Sequence, residues 1–391
     1  MSTNSTAPSR ARKIVKAALI SLPMLLLSAL MLSGGTSGER EMMQIIPVAV
    51  TFLFANALFF LMIYTGKTDK YRSLFFIVMA FCFILTFTTN LLERRGSLAL
   101  TPEDMATGKT PFCHIVIPMT VIPAALTQTI IFPGSILGGF ANISSMFVLW
   151  IGATLALGRG FCSWGCFFGG LDEFFSRLRK RRIIKDVDPR WTYLPYAVLL
   201  GVVLTAAASL TPTYCEWLCP YKAVTEFAAV TSVKTLIQTV IFISLFIALV
   251  IVLPLLMKRR AQCGLFCPFG AFQAFLNKVC AFEVKVNGEV CKEKCRLCTQ
   301  ECPSFSLSRE SISNGGTRLS CMLCGKCVDI CPHKAAGYHV KGTPVAARAG
   351  AARMLFIYPA YLFLVTFGGG MISGAIYRVL LLATTGSIFR A

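Results

Sequence analysis

Apolar runs of about bilayer length recur along this chain, and short polar stretches rich in Lys and Arg separate them. A spanning helix needs about 20 consecutive apolar residues. Runs of that kind lie at 14–33, 44–64, 71–92, 139–157, 192–211 and 236–257. Two more, at 352–368 and 371–387, follow near the C-terminus, with one tilted span and a surface helix as the alternative. Residues 112–133 are equally apolar, but Pro118 and Pro123 interrupt them. Proline removes a helix hydrogen bond and kinks the chain, so a broken or re-entrant hairpin is expected there. The pattern predicts a mainly α, polytopic helical membrane protein.

The basic residues set the expected orientation, because cytoplasmic loops carry the Lys and Arg excess. With the N-terminus inside, Lys67, Lys70 and Arg72 are inside, and the loops at 34–43 and 93–111 are outside. If 112–133 dips in and returns, the stretch RLRKRRIIK at 177–185 and Lys258 to Arg260 also fall inside. Counting 112–133 as a full span would put the most basic loop outside, which favours the re-entrant reading. The first span lacks a clear A-x-A cleavage site, so it reads as retained. The expected location is the inner (cytoplasmic) membrane.

Composition agrees. Charged residues make up 14% of the 391 positions and mean hydropathy is +0.67. A soluble domain carries about 25% charged residues. The net charge of 38 − 18 = +20 sits at the ends of apolar stretches, so membrane topology accounts for it and no nucleic-acid partner is needed.

Between the spans lies a different kind of sequence. Residues 291–332 read C-KEK-C-RL-C-TQE-C-P, then a spacer of 17 residues, then C-ML-C-GK-C-VDI-C-P. The second half is the bacterial iron–sulfur run C-x2-C-x2-C-x3-C-P, and the first half has one extra residue in its first gap. Two runs in tandem are the pattern of a two-cluster ferredoxin, in which the fourth Cys of each run ligates the other cluster. Cys291, Cys295, Cys298 and Cys331 are therefore the expected ligands of one [4Fe-4S] cluster, and Cys302, Cys321, Cys324 and Cys327 of the other. Disulfides or two zinc sites are the alternatives. Residues 284–290, VKVNGEV, suggest a small hairpin with an Asn287–Gly288 turn. The chain thus divides into a helical membrane region at 1–257, a cytoplasmic ferredoxin-like α+β unit at 258–350 and C-terminal membrane helices at 351–391. The 14 Lys or Arg and 6 Asp or Glu of residues 258–350 suit thiolate-ligated clusters, an acidic donor or a lipid surface.

A second motif recurs at span ends: Cys162-SWG-Cys166, Cys215-EWL-Cys219-P and Cys263-GLF-Cys267-P. On a helix, residues i and i+4 share a face, so each pair is expected to present two thiols together. The topology puts Cys162, Cys166, Cys263 and Cys267 on the inner side, where four thiols suffice for a further cluster. Cys215 and Cys219 fall on the outer side, with Cys113 and His114. Those four could form a metal or cluster site, a disulfide could join cysteines there, or the thiols could be inert. Cys82 and Cys280 have no partners at ligand spacing and read as core residues.

GRGFCSWGCFFGG at 158–170, CEWLCP at 215–220, CGLFCPFGA at 263–271 and the tandem runs together resemble the NapH/NosR-type membrane polyferredoxins. These are quinol-linked iron–sulfur proteins of respiratory reductase systems. The resemblance covers about half the chain. It implies a membrane electron-transfer subunit working between a cytoplasmic or quinol donor and a redox protein partner, whether reductase, flavoprotein or ferredoxin. The alternative is a redox-sensing or maturation factor with labile clusters. Phe167 stands where the other two pairs have proline, and there are three C-x3-C pairs where the family leads one to expect two. No flavin-binding N-terminal domain is evident, and SGGTSG at 33–38 reads as a small-residue turn. With histidines only at 114, 333 and 339, a bis-His haem is not available, and no dinucleotide fingerprint or P-loop occurs. No catalytic residues are expected; the chain reads as an electron-transfer component of an oxidoreductase complex.

Overall fold

The computed structural model describes residues 10–33, 42–101, 103–104, 113–129, 143–292, 295–345 and 349–389. The turn at 34–38, most of the loop at 101–112 and the return limb of the expected hairpin at 130–133 lie outside them. Among the described residues, seven helices are long and apolar enough to cross a membrane: α1 (Arg10–Ser33), α2 (Met42–Thr65), α3 (Thr68–Arg95), Ile143–Trp164, Pro189–Ser209, Val233–Met257 and Ala349–Thr385. The chain is a multi-pass membrane protein. The segment His114–Thr127 is also apolar and helical but too short to span.

The two C-terminal spans read from the sequence are one helix of 37 residues, Ala349–Thr385. Gly368, Gly369 and Gly370 look like a break, yet two of them serve close packing. A side chain at Gly368 would meet Phe75 at 2.7 Å and Met79 at 2.8 Å, and one at Gly369 would meet Leu32 at 2.4 Å. At 1.5 Å per residue this helix is about 55 Å long, well beyond a hydrocarbon core of about 30 Å. Its first turns accordingly pack on the ferredoxin-like unit, where Phe356 stacks on Tyr338 with ring centroids 4.9 Å apart. Its far end holds Arg378, which pairs with Glu93 and donates to Asn90 Oδ1 at 2.6 Å.

The expected local hairpin at 284–290 does not form. Strand Phe282–Val286 instead pairs antiparallel with Ala336–Val340, in register from Phe282↔Val340 to Val286↔Ala336. The Asn287 side chain accepts from Glu289 N at 3.0 Å, and Cys291 N donates back to Asn287 O at 3.0 Å. The Asn-Gly turn thus winds the chain into the first cysteine run rather than into a returning strand.

The basic loops gather at one end of the bundle. Arg182 pairs with Glu301 at 2.6 Å, and Lys326 pairs with the same carboxylate at 2.9 Å. Asp329, from the helix Lys326–Ile330, accepts from the backbone of Thr68 at 2.9 Å, Asp69 at 2.7 Å and Lys70 at 3.3 Å. The residue preceding α3, Lys67, has no capping side chain, so the ferredoxin-like unit supplies the cap. At this end the chain buries a charge network. Arg72 donates to Asp69 at 2.7 Å and to Glu173 at 3.2 Å, and Arg177 donates to Asp69 at 2.6 Å and to Glu173 at 2.6 Å. Arg260, counted with the loop from sequence, is wholly buried and lies beside Glu173.

Candidate iron–sulfur centres

All three C-x3-C pairs use one backbone device, and so do the last two cysteines of each ferredoxin run. The first Cys sits on a short helical turn and the second follows in an extended conformation. φ and ψ are −74° and 102° at Cys166, −79° and 108° at Cys219, and −68° and 117° at Cys267. They are −64° and 116° at Cys302, and −71° and 111° at Cys331. The residue before proline is pushed out of the helical region, which explains four of the five. Cys166 adopts the same geometry ahead of Phe167, so the missing proline leaves the device intact. The pairs are therefore not two thiols on one helix face, as the spacing suggests; the second Cys lies past the helix end.

Cys302, Cys321, Cys324 and Cys327 line one small cavity, together with Ser304, Ser306 and Thr317. Gly325, at φ 83°, makes the turn between Cys324 and Cys327, and a side chain there would strike Tyr338 Oη at 2.5 Å. Trp164 Nε1 and Tyr338 Oη both donate to Leu323 O, at 3.2 and 3.1 Å. Burial pushes the Cys302 thiol up, but hydrogen bonds from Ser306, whose Oγ is 3.2 Å away, and from Ser304 hold it below its ordinary value. Burial pushes Cys324 up to about 12. The other four ferredoxin cysteines are less enclosed. Burial, followed by the proximity of Cys291, Cys331 and Cys295, pushes Cys298 up to about 11. Thiols that disfavour being ionised together are stabilised as thiolates by a bound metal core.

Next to the first cavity lie Cys162, Cys166, Cys263 and Cys267, all buried and within electrostatic reach of one another. Two buried guanidiniums join this quartet to the ferredoxin-like unit. Arg260 donates to Cys162 O at 2.8 Å and to Cys263 Sγ at 3.1 Å, and its Nη1 reaches Met322 Sδ at 3.4 Å. Arg159 donates to Ser320 O at 2.7 Å and to Cys263 O at 3.1 Å. Among the described residues Arg159 has no carboxylate partner. In the sequence Arg159 belongs to a glycine-rich motif and Arg260 to a run of topogenic loop charges, and nothing in their spacing marks them as buried.

The sequence places Cys113, His114, Cys215 and Cys219 together on the far face. The structure brings Cys113, Cys215 and Cys219 within electrostatic reach of one another but draws His114 to the quartet. Its Nε2 is 3.2 Å from Cys166 Sγ, and its ring packs between Phe161, Phe167 and Phe269. The segment 214–223 turns back into the bundle instead of remaining at its rim. There Gln262 Nε2 donates to Tyr214 Oη at 3.0 Å, and Tyr221 stacks on Phe168 with centroids 4.3 Å apart. Cys280, by contrast, is a buried core thiol 1% exposed.

Among the described residues, no three His, Cys, Asp or Glu side chains close on a point as the ligands of one ion do. The donor chemistry of the cysteine sets fits clusters.

Comparison with known proteins agrees. A 4Fe-4S binding domain matches residues 139–185, 191–236 and 240–287, so that each match takes in one C-x3-C pair. The ferredoxin-type protein NapH of Escherichia coli is 25% identical over 183 residues, which is 46% of this chain and 61% of NapH. An uncharacterized protein of Methanocaldococcus jannaschii is 30% identical over 211 residues, 51% of this chain and 80% of that relative. The chain belongs to the NapH/NosR-type membrane polyferredoxins. The regulatory protein NosR of Pseudomonas aeruginosa is 30% identical over 177 residues, and the match spans only 23% of its length. No solved structure matches this polyferredoxin. The third match, 240–287, runs across position 258.

Proposed function

We propose that this polyferredoxin is the electron-transfer subunit of a membrane redox complex, and that it carries a cluster chain leading from the ferredoxin-like unit into the bundle. Cys291, Cys295, Cys298 and Cys331 hold the outermost [4Fe-4S] cluster. Cys302, Cys321, Cys324 and Cys327 hold the second, and Cys162, Cys166, Cys263 and Cys267 hold a third. Bound clusters supply one-electron carriers; the protein supplies ligands, charge and exclusion of water.

Arg159 carries this reading. A guanidinium 1% exposed and without a carboxylate partner is expensive unless an anion balances it. It lies within reach of Cys162 and bonds Cys263 O, and a cluster with four thiolates is that anion.

The ferredoxin-like unit faces the cytoplasm, on the side of the basic loops, and the membrane is the inner membrane. Half-exposed Cys291, Cys295 and Cys298 stand beside exposed Lys292, Arg296 and Lys334. That rim suits an acidic redox partner, a flavoprotein or ferredoxin, while quinol is the donor or acceptor within the membrane. Anaerobic purification followed by iron, sulfide and zinc counting tests the assignment, with about twelve or more irons per chain expected. About eight irons would empty the quartet, and stoichiometric zinc with little iron would refute the central claim.

A further inference from the structure

Seven thiols and one imidazole are gathered inside the bundle: Cys113, Cys162, Cys166, Cys215, Cys219, Cys263, Cys267 and His114. Four of the thiols form the quartet. The remaining three are Cys113, Cys215 and Cys219, which leaves a second cluster one ligand short. His114 neighbours Cys113 in the chain and is 1% exposed. Its Nε2 faces Cys166 Sγ at 3.2 Å, and its Nδ1 is buried with no hydrogen-bond partner among the described residues. The two ring nitrogens lie on different edges of the imidazole, so the unpartnered one is turned from Cys166. A buried imidazole nitrogen without a partner is costly, and a metal ligand is one of the few things that relieves it.

We propose that Cys113, Cys215, Cys219 and His114 Nδ1 hold a second cluster within the bundle, a [4Fe-4S] core with three thiolates and one imidazole. His114 Nε2–H donates to Cys166 Sγ, a ligand of the neighbouring cluster. Ligating histidines characteristically give their second N–H to an acceptor that fixes ring and tautomer, and here the acceptor belongs to another metal centre. One ring therefore spans two clusters. In each transfer, one iron pair of the quartet's cluster is oxidised by one electron as the imidazole-ligated cluster is reduced by one. No proton moves, because Nε2–H keeps its hydrogen throughout. Replacing a thiolate by a neutral imidazole removes one negative charge, and histidine ligation raises a cluster's potential. The imidazole-ligated cluster is therefore the more oxidising of the two and the electron's resting place.

The proposal rests on the quartet holding a cluster, and iron counting separates the two ideas. The full-length chain is purified anaerobically in detergent as wild type, C215S/C219S, H114A and H114C. The wild type should hold about sixteen irons and the double variant about twelve. A wild type at about eight would instead refute the quartet, and the second cluster with it. The reduced wild type should show nitrogen hyperfine coupling that shifts on ¹⁵N-histidine labelling. H114C should keep all its iron, lose that coupling and lower two midpoint potentials, one by the exchange of imidazole for thiolate and one by the lost hydrogen bond to Cys166 Sγ, while the two ferredoxin-like clusters stay put; H114A should lose iron from one cluster only. Two results would overturn the proposal: equal iron in wild type and C215S/C219S, or a sixteen-iron wild type without nitrogen coupling. Because H114C offers a fourth thiolate, its folding does not depend on the imidazole, and misfolding of H114A leaves the test standing.

Discussion

Asp329 ties the ferredoxin-like unit to the bundle, and its removal has a calculable cost. Its carboxylate accepts three first-turn N–H groups of α3, and Thr68 and Asp69 are themselves buried. A hydrogen bond to a charged group contributes about 1.5–3 kcal/mol. Lys70 is exposed, and its N–H, bonded at 3.3 Å, can turn to water, so two bonds count. Losing them in Asp329→Ala costs about 3 kcal/mol at the low end of that range. Loss of an N-cap alone costs about 0.5–2 kcal/mol, and the present cap exceeds that because it also docks two units. Amide hydrogen exchange of the holo chain in detergent reads this directly. At 1.4 kcal/mol per factor of ten, Thr68 and Asp69 should exchange roughly a hundredfold faster. Iron content should not change, since Asp329 is not a cysteine ligand. Asp329→Asn, which keeps one acceptor oxygen, should fall between the two. Unchanged exchange at Thr68 and Asp69 in the alanine variant would refute the claim that this carboxylate caps the helix.

Other predictions concern the centres and the packing around them. Ser306→Ala removes the hydroxyl beside Cys302 Sγ, and loss of a hydrogen bond to a ligand sulfur should lower one midpoint potential in a redox titration. Arg260→Gln deprives Glu173 of a cation and Cys263 of a donor. Arg72 and Arg177 still hold Glu173, so the loss falls on the quartet, and the variant should lose about four irons per chain by elemental analysis. Gly369→Leu drives a side chain into Leu32 and should lower the thermal midpoint, overpacking being worth about 1–3 kcal/mol.

The hydrophobic pattern was enough to find the spans, because length and apolarity are local properties of a lipid-facing helix. It misjudged the last helix, since three adjacent glycines spell both a break and a tight contact, and only Phe75, Met79 and Leu32 show which. Cysteine spacing brought Cys302 to Cys321, Cys324 and Cys327 on paper, and the structure sets the same four around one cavity. The hairpin at 284–290 failed for a related reason: strand Phe282–Val286 takes its partner from residues about fifty positions on, which no local signal announces. Topology groups His114 with the outer thiols, and no local signal announces that its Nε2 also meets Cys166. Arg159 and Asp329 were invisible for the same cause. Each acts on an element more than one hundred residues away, and one sequence does not display such distances.

The sealing of Arg159 has a consequence for biogenesis. Before iron arrives, closing the bundle over this guanidinium would leave it with carbonyl acceptors but no anion in a dry interior. With the quartet holding a cluster as proposed, iron–sulfur delivery and docking of the ferredoxin-like unit should be one event. Chain made without iron should therefore be digested by protease faster than the iron-loaded chain.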